Sequence, residues 1–233
     1  MSNATKSKLV SFYLGEAPDV QGRMFDDILT WNDKALEEVH DYIQWLFPLN
    51  GASAFNVLAP ILTEEDILTL KSNKKARENV IRAFEKLLNF YGFEYAPQRD
   101  LFGLEHVLRT KDFEQKSQNW LTPGNHNFLR ITRILKSLIL LDRGWCALAF
   151  LRALESIYKE RAGVTGEETL GYWRNACTLT ILISHRPTRK SARCDCLWVS
   201  VDQRRLAANI RRHIECHRSR DHVHVACKER ELS

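Results

Sequence analysis

The sequence predicts an all-α fold: a compact multi-helix bundle followed by a basic C-terminal extension expected to be poorly ordered. Three observations carry that expectation. Apolar residues recur at three- and four-residue spacing through most of the first 177 positions. Helix-starting and helix-stopping residues bracket those stretches, and no alternating strand pattern interrupts them before position 177.

Residues 1–10 read as a polar N-terminal tail, and residues 11–177 as the helical domain. A helix is expected from Asn32 or Asp33 to Phe47. Glu37, Glu38 and Asp41 place negative charge early in it, and Leu36, His40, Ile43 and Phe47 form a stripe. Tyr42, Trp45 and Leu46 widen its apolar surface, so other helices should enclose it. Pro48 ends it by excluding Phe47 from the α region.

Thr63, followed by Glu64, Glu65 and Asp66, has the form of an N-cap with an acidic first turn, opening a short helix through Leu70. A longer helix is predicted over 74–91. Val80, Ala83, Phe84, Leu87, Leu88 and Tyr91 lie on one face of it, and Gly92 is placed to stop it. Residues 104–113 give a weaker helical signal. The clearest amphipathic pattern covers 123–141, with Phe128, Ile131, Ile134, Leu135, Leu138 and Leu141 in register. Asp142-Arg143-Gly144 breaks it before a helix over 145–161. Thr165 to Glu168 then caps a last helix to about Cys177.

Beyond Cys177 the composition changes. The chain's net charge of +5 is confined to its end: residues 1–183 hold 22 Lys+Arg against 23 Asp+Glu, whereas 184–233 hold 12 against 6. The pI is therefore not a nucleic-acid footprint of the main domain. Residues 178–183 and 197–201 alternate like strands, and Leu206, Ala207, Ile210 and Ile214 fit one side of a helix. Cys194, Cys196, His213, Cys216, His217, His222, His224 and Cys227 are ligand types that suit zinc. Cys-x-Cys is not the usual knuckle spacing, so a disordered or non-native extension is the preferred reading and no metal is assigned.

Residues 42–63 are uncharged but hold Gln44, Pro48, Asn50, Gly51, Asn56 and Pro60, which argues against an unbroken membrane helix. The apolar run after Lys8 is too short for an export signal. A soluble, intracellular protein is expected, cytoplasmic or, in a eukaryote, nuclear. Two isolated body cysteines, Cys146 and Cys177, suit a reducing compartment.

Two groups of residues carry candidate chemistry. His40 and Gln44 are one turn apart on the predicted helix; with Tyr42 and Trp45 they suit the wall of a ligand pocket, or else an internal polar network that fixes packing. His126, Arg130 and Arg133, preceded by Asn125, fall at i, i+4 and i+7 on one face, an arrangement able to hold an anion or to pair with acids of a neighbouring helix. No Gly-x-Ser-x-Gly elbow, Walker loop, dinucleotide fingerprint or His-Glu-x-x-His pair is present.

Several segments occur in an order that resembles the conserved region of the opioid growth factor receptor family. They are Phe12-Tyr13-Leu14-Gly15, Asp27-Ile28-Leu29-x-Trp31, the run Leu36-Glu37-x-x-His40-Asp41-Tyr42-Ile43-Gln44-Trp45-Leu46-Phe47-Pro48, and Asn56-x-x-Ala59-Pro60. Phe90-Tyr91-Gly92, the block Asn125-His126-Asn127-Phe128-Leu129-Arg130-Ile131-Thr132-Arg133-Ile134-Leu135, Ala149-Phe150-Leu151 and Tyr172-Trp173-Arg174 complete the set, over roughly residues 11–177. The resemblance implies a receptor-like binding domain. The family's vertebrate receptor is taken to bind an enkephalin peptide and to act at the nucleus; the repeats that receptor carries after the shared domain are not found here. The expected function is binding of a peptide or protein ligand without catalysis or cofactor, at His40, Tyr42, Gln44, Trp45, Asn125, His126, Arg130 and Arg133. A helical enzyme using His40 or His126 as acid/base, and nucleic-acid binding through the Arg-rich tail, are the alternatives.

Overall fold

A computed structural model describes residues 6–53, 56–101 and 104–183, with side chains through Thr178. Contacts divide the chain into two units, Met1–Thr180 and Ile181–Ser233. Of the second, only residues 181–183 are described, as the end of a helix. The tail's Cys/His positions, its expected strand at 197–201 and its Arg-rich stretch all lie outside the described residues.

The all-α expectation holds, with a small sheet added. Ten helices and two strands are described: α1 Lys8–Tyr13, α2 Phe25–Thr30, α3 Asp33–Glu38, α4 Ile43–Leu46, α5 Glu64–Ser72, α6 Lys74–Tyr91, β1 Phe93–Ala96, β2 His106–Arg109, α7 Phe113–Ser117, α8 Asn127–Leu140, α9 Gly144–Thr165 and α10 Glu167–Ile183. The first helix thus begins inside the segment expected to be a tail. Among the described residues no helix is long and apolar enough to cross a membrane.

Local chemistry accounts for the bounds that matched. Thr63 accepts from Asp66 N (3.1 Å) while the Asp66 carboxylate accepts from Thr63 N (3.0 Å), a reciprocal cap that fixes the start of α5. Asn73 caps α6 through Ala76 N (3.1 Å). At the other end of α6, Gly92 adopts the left-handed conformation at φ 83°. A Cβ there would meet the Phe113 Cα at 2.9 Å, so the turn needs glycine twice over.

Three expectations are corrected. The helix expected from Asn32 to Phe47 is two short ones, because Val39 leaves the helical region (φ −88°, ψ 130°) and the next helix starts only at Ile43, after Tyr42 in helical geometry (φ −70°, ψ −30°). The weak helical signal at 104–113 is a hairpin strand: β2 pairs antiparallel with β1, Phe93 opposite Arg109 and Ala96 opposite His106. His106-Val-Leu-Arg109 alternates only briefly, and only Val107 of the four is buried, so the period of two was too short to register. Residues 178–183, expected to be extended, continue α10. The helix expected to end at Arg161 does lose helical geometry there (φ −137°, ψ 44°) before its final turn.

The core lies where α6, α8 and α9 meet. Ala83, Phe84 and Leu87 of α6, Ile131, Ile134, Leu135 and Leu138 of α8, and Ala147, Phe150 and Leu154 of α9 are fully enclosed. Each of the larger aliphatic or aromatic side chains contributes roughly 1.5–3 kcal/mol by leaving water. Trp173 of α10 is sealed in as well, stacking edge-on against Phe128 and donating its indole N–H to the Phe128 carbonyl (3.2 Å).

Candidate functional site

Breaking a helix at Val39 strands the last carbonyls of α3, and a buried helix end needs partners for them. Arg130 supplies these from α8. Its guanidinium donates to Leu36 O (2.9 Å), Glu37 O (3.2 Å) and Val39 O (3.0 Å), and it also bonds His40 Nδ1 at 2.9 Å. Arginine can only donate, so His40 Nδ1 must be the acceptor and a neutral ring carries its proton on Nε2. The guanidinium is 6% exposed and lies 5.7 Å from the centre of the Tyr42 ring, whose hydroxyl donates to the same Leu36 carbonyl (3.1 Å).

Asn127 and Glu37 extend this cluster. Asn127 donates to Glu37 Oε2 (3.0 Å) and accepts from Arg130 (3.3 Å), while Glu37 Oε1 sits 3.3 Å from His126 Nε2. The two imidazoles meet edge to face with centroids 5.2 Å apart. Gln44, with its amide turned so that nitrogen faces the carbonyls, donates to Asp41 O (2.7 Å) and His40 O (3.3 Å). The expected His40–Gln44 partnership therefore runs through the backbone of His40.

Above the cluster opens a groove of about 450 Å³. His40, Gln44, His126, Arg130 and Arg133 all line it, so five of the eight sequence-derived candidates converge. Ile43, Leu49 and Leu129 give it an apolar side, and Lys136 lies at its lip. Leu129 is 61% exposed and stands in the groove lining with Arg130 and Arg133. The Arg133 guanidinium donates to Phe47 O (3.2 Å), which closes the end of α4, and still has other N–H groups to offer. Burial lowers its pKa without threatening its charge.

The remaining candidates lie elsewhere. Tyr42 and Trp45 are enclosed beneath the groove rather than lining it; Trp45 packs on Phe12 with centroids 5.3 Å apart. Asn125 organises the approach to α8, donating to Asn119 O (3.1 Å) and Thr122 Oγ1 (2.9 Å) and accepting from Asn127 N (2.9 Å). Glu37, Asn127, Leu129 and Lys136 were missed. Leu129, Thr132, Arg133 and Lys136 recur at i, i+3, i+4 and i+7, so the helical spacing already contained the groove-facing side of α8.

Electrostatics set the charge state of the groove. Desolvation, then the neighbouring Arg130 and finally His40, hold the His126 pKa below its ordinary 6.5, with Glu37 opposing them. A histidine with a depressed folded pKa binds its proton more readily when unfolded. Its contribution to stability is thus intact above pH 6.5 and is lost as pH falls through that value toward the folded pKa. Urea-unfolding midpoints should fall between pH 7.5 and 5.5, and His126→Asn should flatten part of the slope. The effect is small because the ring is 43% exposed and solvent screens it. An unchanged slope in that variant would remove His126 from the account.

Residues 2–189 match the family model described as the opioid growth factor receptor conserved region. The chain belongs to the opioid growth factor receptor family. The family match takes in every residue of the groove and reaches further on both sides than the motifs at 11–177. The rat opioid growth factor receptor is 43% identical over 133 residues, 55% of this chain and 22% of its own length. The human opioid growth factor receptor is 40% identical over 133 residues, 55% of this chain and 19% of its own length. The Xenopus tropicalis opioid growth factor receptor-like protein 1 is 37% identical over 131 residues, covering 54% and 24%. The matches thus cover about a quarter or less of these relatives. No solved structure matches.

Proposed function

We propose that this domain binds a peptide, free or as a segment of a protein, in the groove between α4 and α8, without catalysing a reaction. The observation that carries the reading is the placement of the exposed Leu129 side chain, across a groove floored by the buried Ile43 and edged by the partly exposed Leu49, beside the Arg133 and Lys136 cations. An apolar side chain of the ligand rests on Leu129, and a carboxylate or another anionic group of the ligand faces Arg133 and Lys136. Arg130 braces the floor, since its N–H groups already face protein acceptors. The receptor names of the relatives support a ligand-binding role.

Fluorescence anisotropy with a dye-labelled enkephalin pentapeptide tests this. Saturable binding is expected in the full chain, weakened about tenfold or more by Leu129→Asp and by Arg133→Gln combined with Lys136→Gln. No saturable binding, or equal affinity in both variants, removes the groove reading.

A further inference from the structure

A second groove runs along α6. It has a volume of about 470 Å³ and is lined by Lys74, Arg77, Glu78, Ile81 and Arg82 of that helix, with Arg143 from the turn joining α8 to α9. The helical positions fall at i, i+3, i+4, i+7 and i+8, so they share one face, about 12 Å long at ~1.5 Å per residue. The wall holds four cations and one carboxylate. Two of the cations have acidic partners: Lys74 stands 3.7 Å from Glu78, and Arg82 pairs with Asp26 at 2.8 Å.

Arg77 and Arg143 differ. Among the described residues neither has a carboxylate partner. Arg77 donates through Nη1 to Lys71 O and Ser72 O, both at 3.0 Å, and Arg143 donates through Nη1 to Asp142 O at 3.2 Å. Carbonyls orient a guanidinium without neutralising it, so both forks are steered by one nitrogen and keep their charge. Arg143 Nε is in addition buried without an acceptor, a condition with a real cost that a bound anion reorienting the side chain would relieve.

We propose that this groove binds a compact polyphosphate, a ligand with at least two phosphoryl groups. Arg77 takes one group and Arg143 the other, while Lys74 and Arg82 supply surrounding charge. Two planar forks lining one groove, one from α6 and one from the α8–α9 turn, suit two phosphoryl groups, each accepting paired N–H bonds. A single carboxylate would satisfy only one of them. The ligand could be a soluble polyphosphate or the headgroup of a multiply phosphorylated lipid, which share this chemistry.

Isothermal titration calorimetry of the full chain with inorganic tripolyphosphate, at 150 mM salt to suppress loose ion pairing, is the test. Saturable binding is expected, weakened about tenfold or more by Arg143→Gln, which gives up only the neighbouring Asp142 carbonyl. Arg77→Lys keeps its charge but loses the fork, and should weaken binding several-fold with circular dichroism unchanged. Lys136→Gln, in the other groove, should bind as the wild type does. Binding of tripolyphosphate alone assigns a soluble ligand. Retention as well on vesicles containing a bisphosphorylated inositol lipid supports the same site and assigns the headgroup as its source. Absence of binding by the wild type, or equal affinity in Arg143→Gln, overturns the proposal. So does loss of binding in Lys136→Gln to the same extent, because the contact would then be general to the protein's positive surface.

Discussion

Replacing Arg130 with alanine is expected to lower unfolding stability by about 3–5 kcal/mol, as removal of one member of a buried charged cluster does. The side chain is almost wholly enclosed, and truncation strands the Glu37 and Val39 carbonyls together with the His40 ring. Leu36 O keeps the Tyr42 hydroxyl as a donor, so its loss is partial. Each acceptor left dry costs on the order of 1–3 kcal/mol, and Glu37 loses a cation 3.7 Å away. Urea denaturation followed by circular dichroism measures the change. Arg130→Lys should recover only part of it, because one ammonium cannot span carbonyls on both sides of the break. A loss below about 1 kcal/mol for the alanine variant would show that the break at Val39 holds without the clasp.

Trp120→Ala should cost a similar amount, about 3–5 kcal/mol, for a different reason. Its indole is fully enclosed, lies 5.4 Å from the Tyr91 ring and 6.2 Å from Phe93, and donates to Tyr91 O at 3.0 Å. The aromatic cluster continues to Phe150, whose ring lies 5.9 Å from that of Phe93. Deletion leaves a cavity beneath the turn at Gly92, where the backbone is already fixed by its left-handed conformation. Trp120→Phe retains most of the packing and should lose only the hydrogen bond and part of the volume. Equal unfolding midpoints for the phenylalanine and alanine variants would show that the hydrogen bond, rather than filled space, is what matters at this position.

Legibility in the sequence followed the range of the forces involved. Helices α5 and α6 could be placed almost to the residue, because Thr63, Asp66, Asn73 and Gly92 act on groups three or four positions away. The break at Val39 could not be read. The guanidinium that satisfies its carbonyls lies more than ninety positions along the chain, and the periodicity of Leu36, His40, Ile43 and Phe47 continues across the gap undisturbed. The site shows the same division. Helical spacing placed His126, Arg130 and Arg133 together, and all three line the groove, yet it gave them one role. The fold separates them, turning Arg130 inward onto carbonyls and leaving Arg133 along the groove. Tyr42 and Trp45 misled because an aromatic suits a ligand wall and a core equally well; burial decides between them, and burial is a property of the assembled chain.

The clasp between Arg130 and the end of α3 has a consequence for how the molecule comes into being. During synthesis, residues 33–47 are made long before the arginine that shapes them exists. Until α8 arrives, the Leu36, Glu37 and Val39 carbonyls lack the guanidinium that holds them in the folded domain. The floor of the proposed groove therefore cannot be finished from the N-terminal segment alone: it waits for the docking of α8.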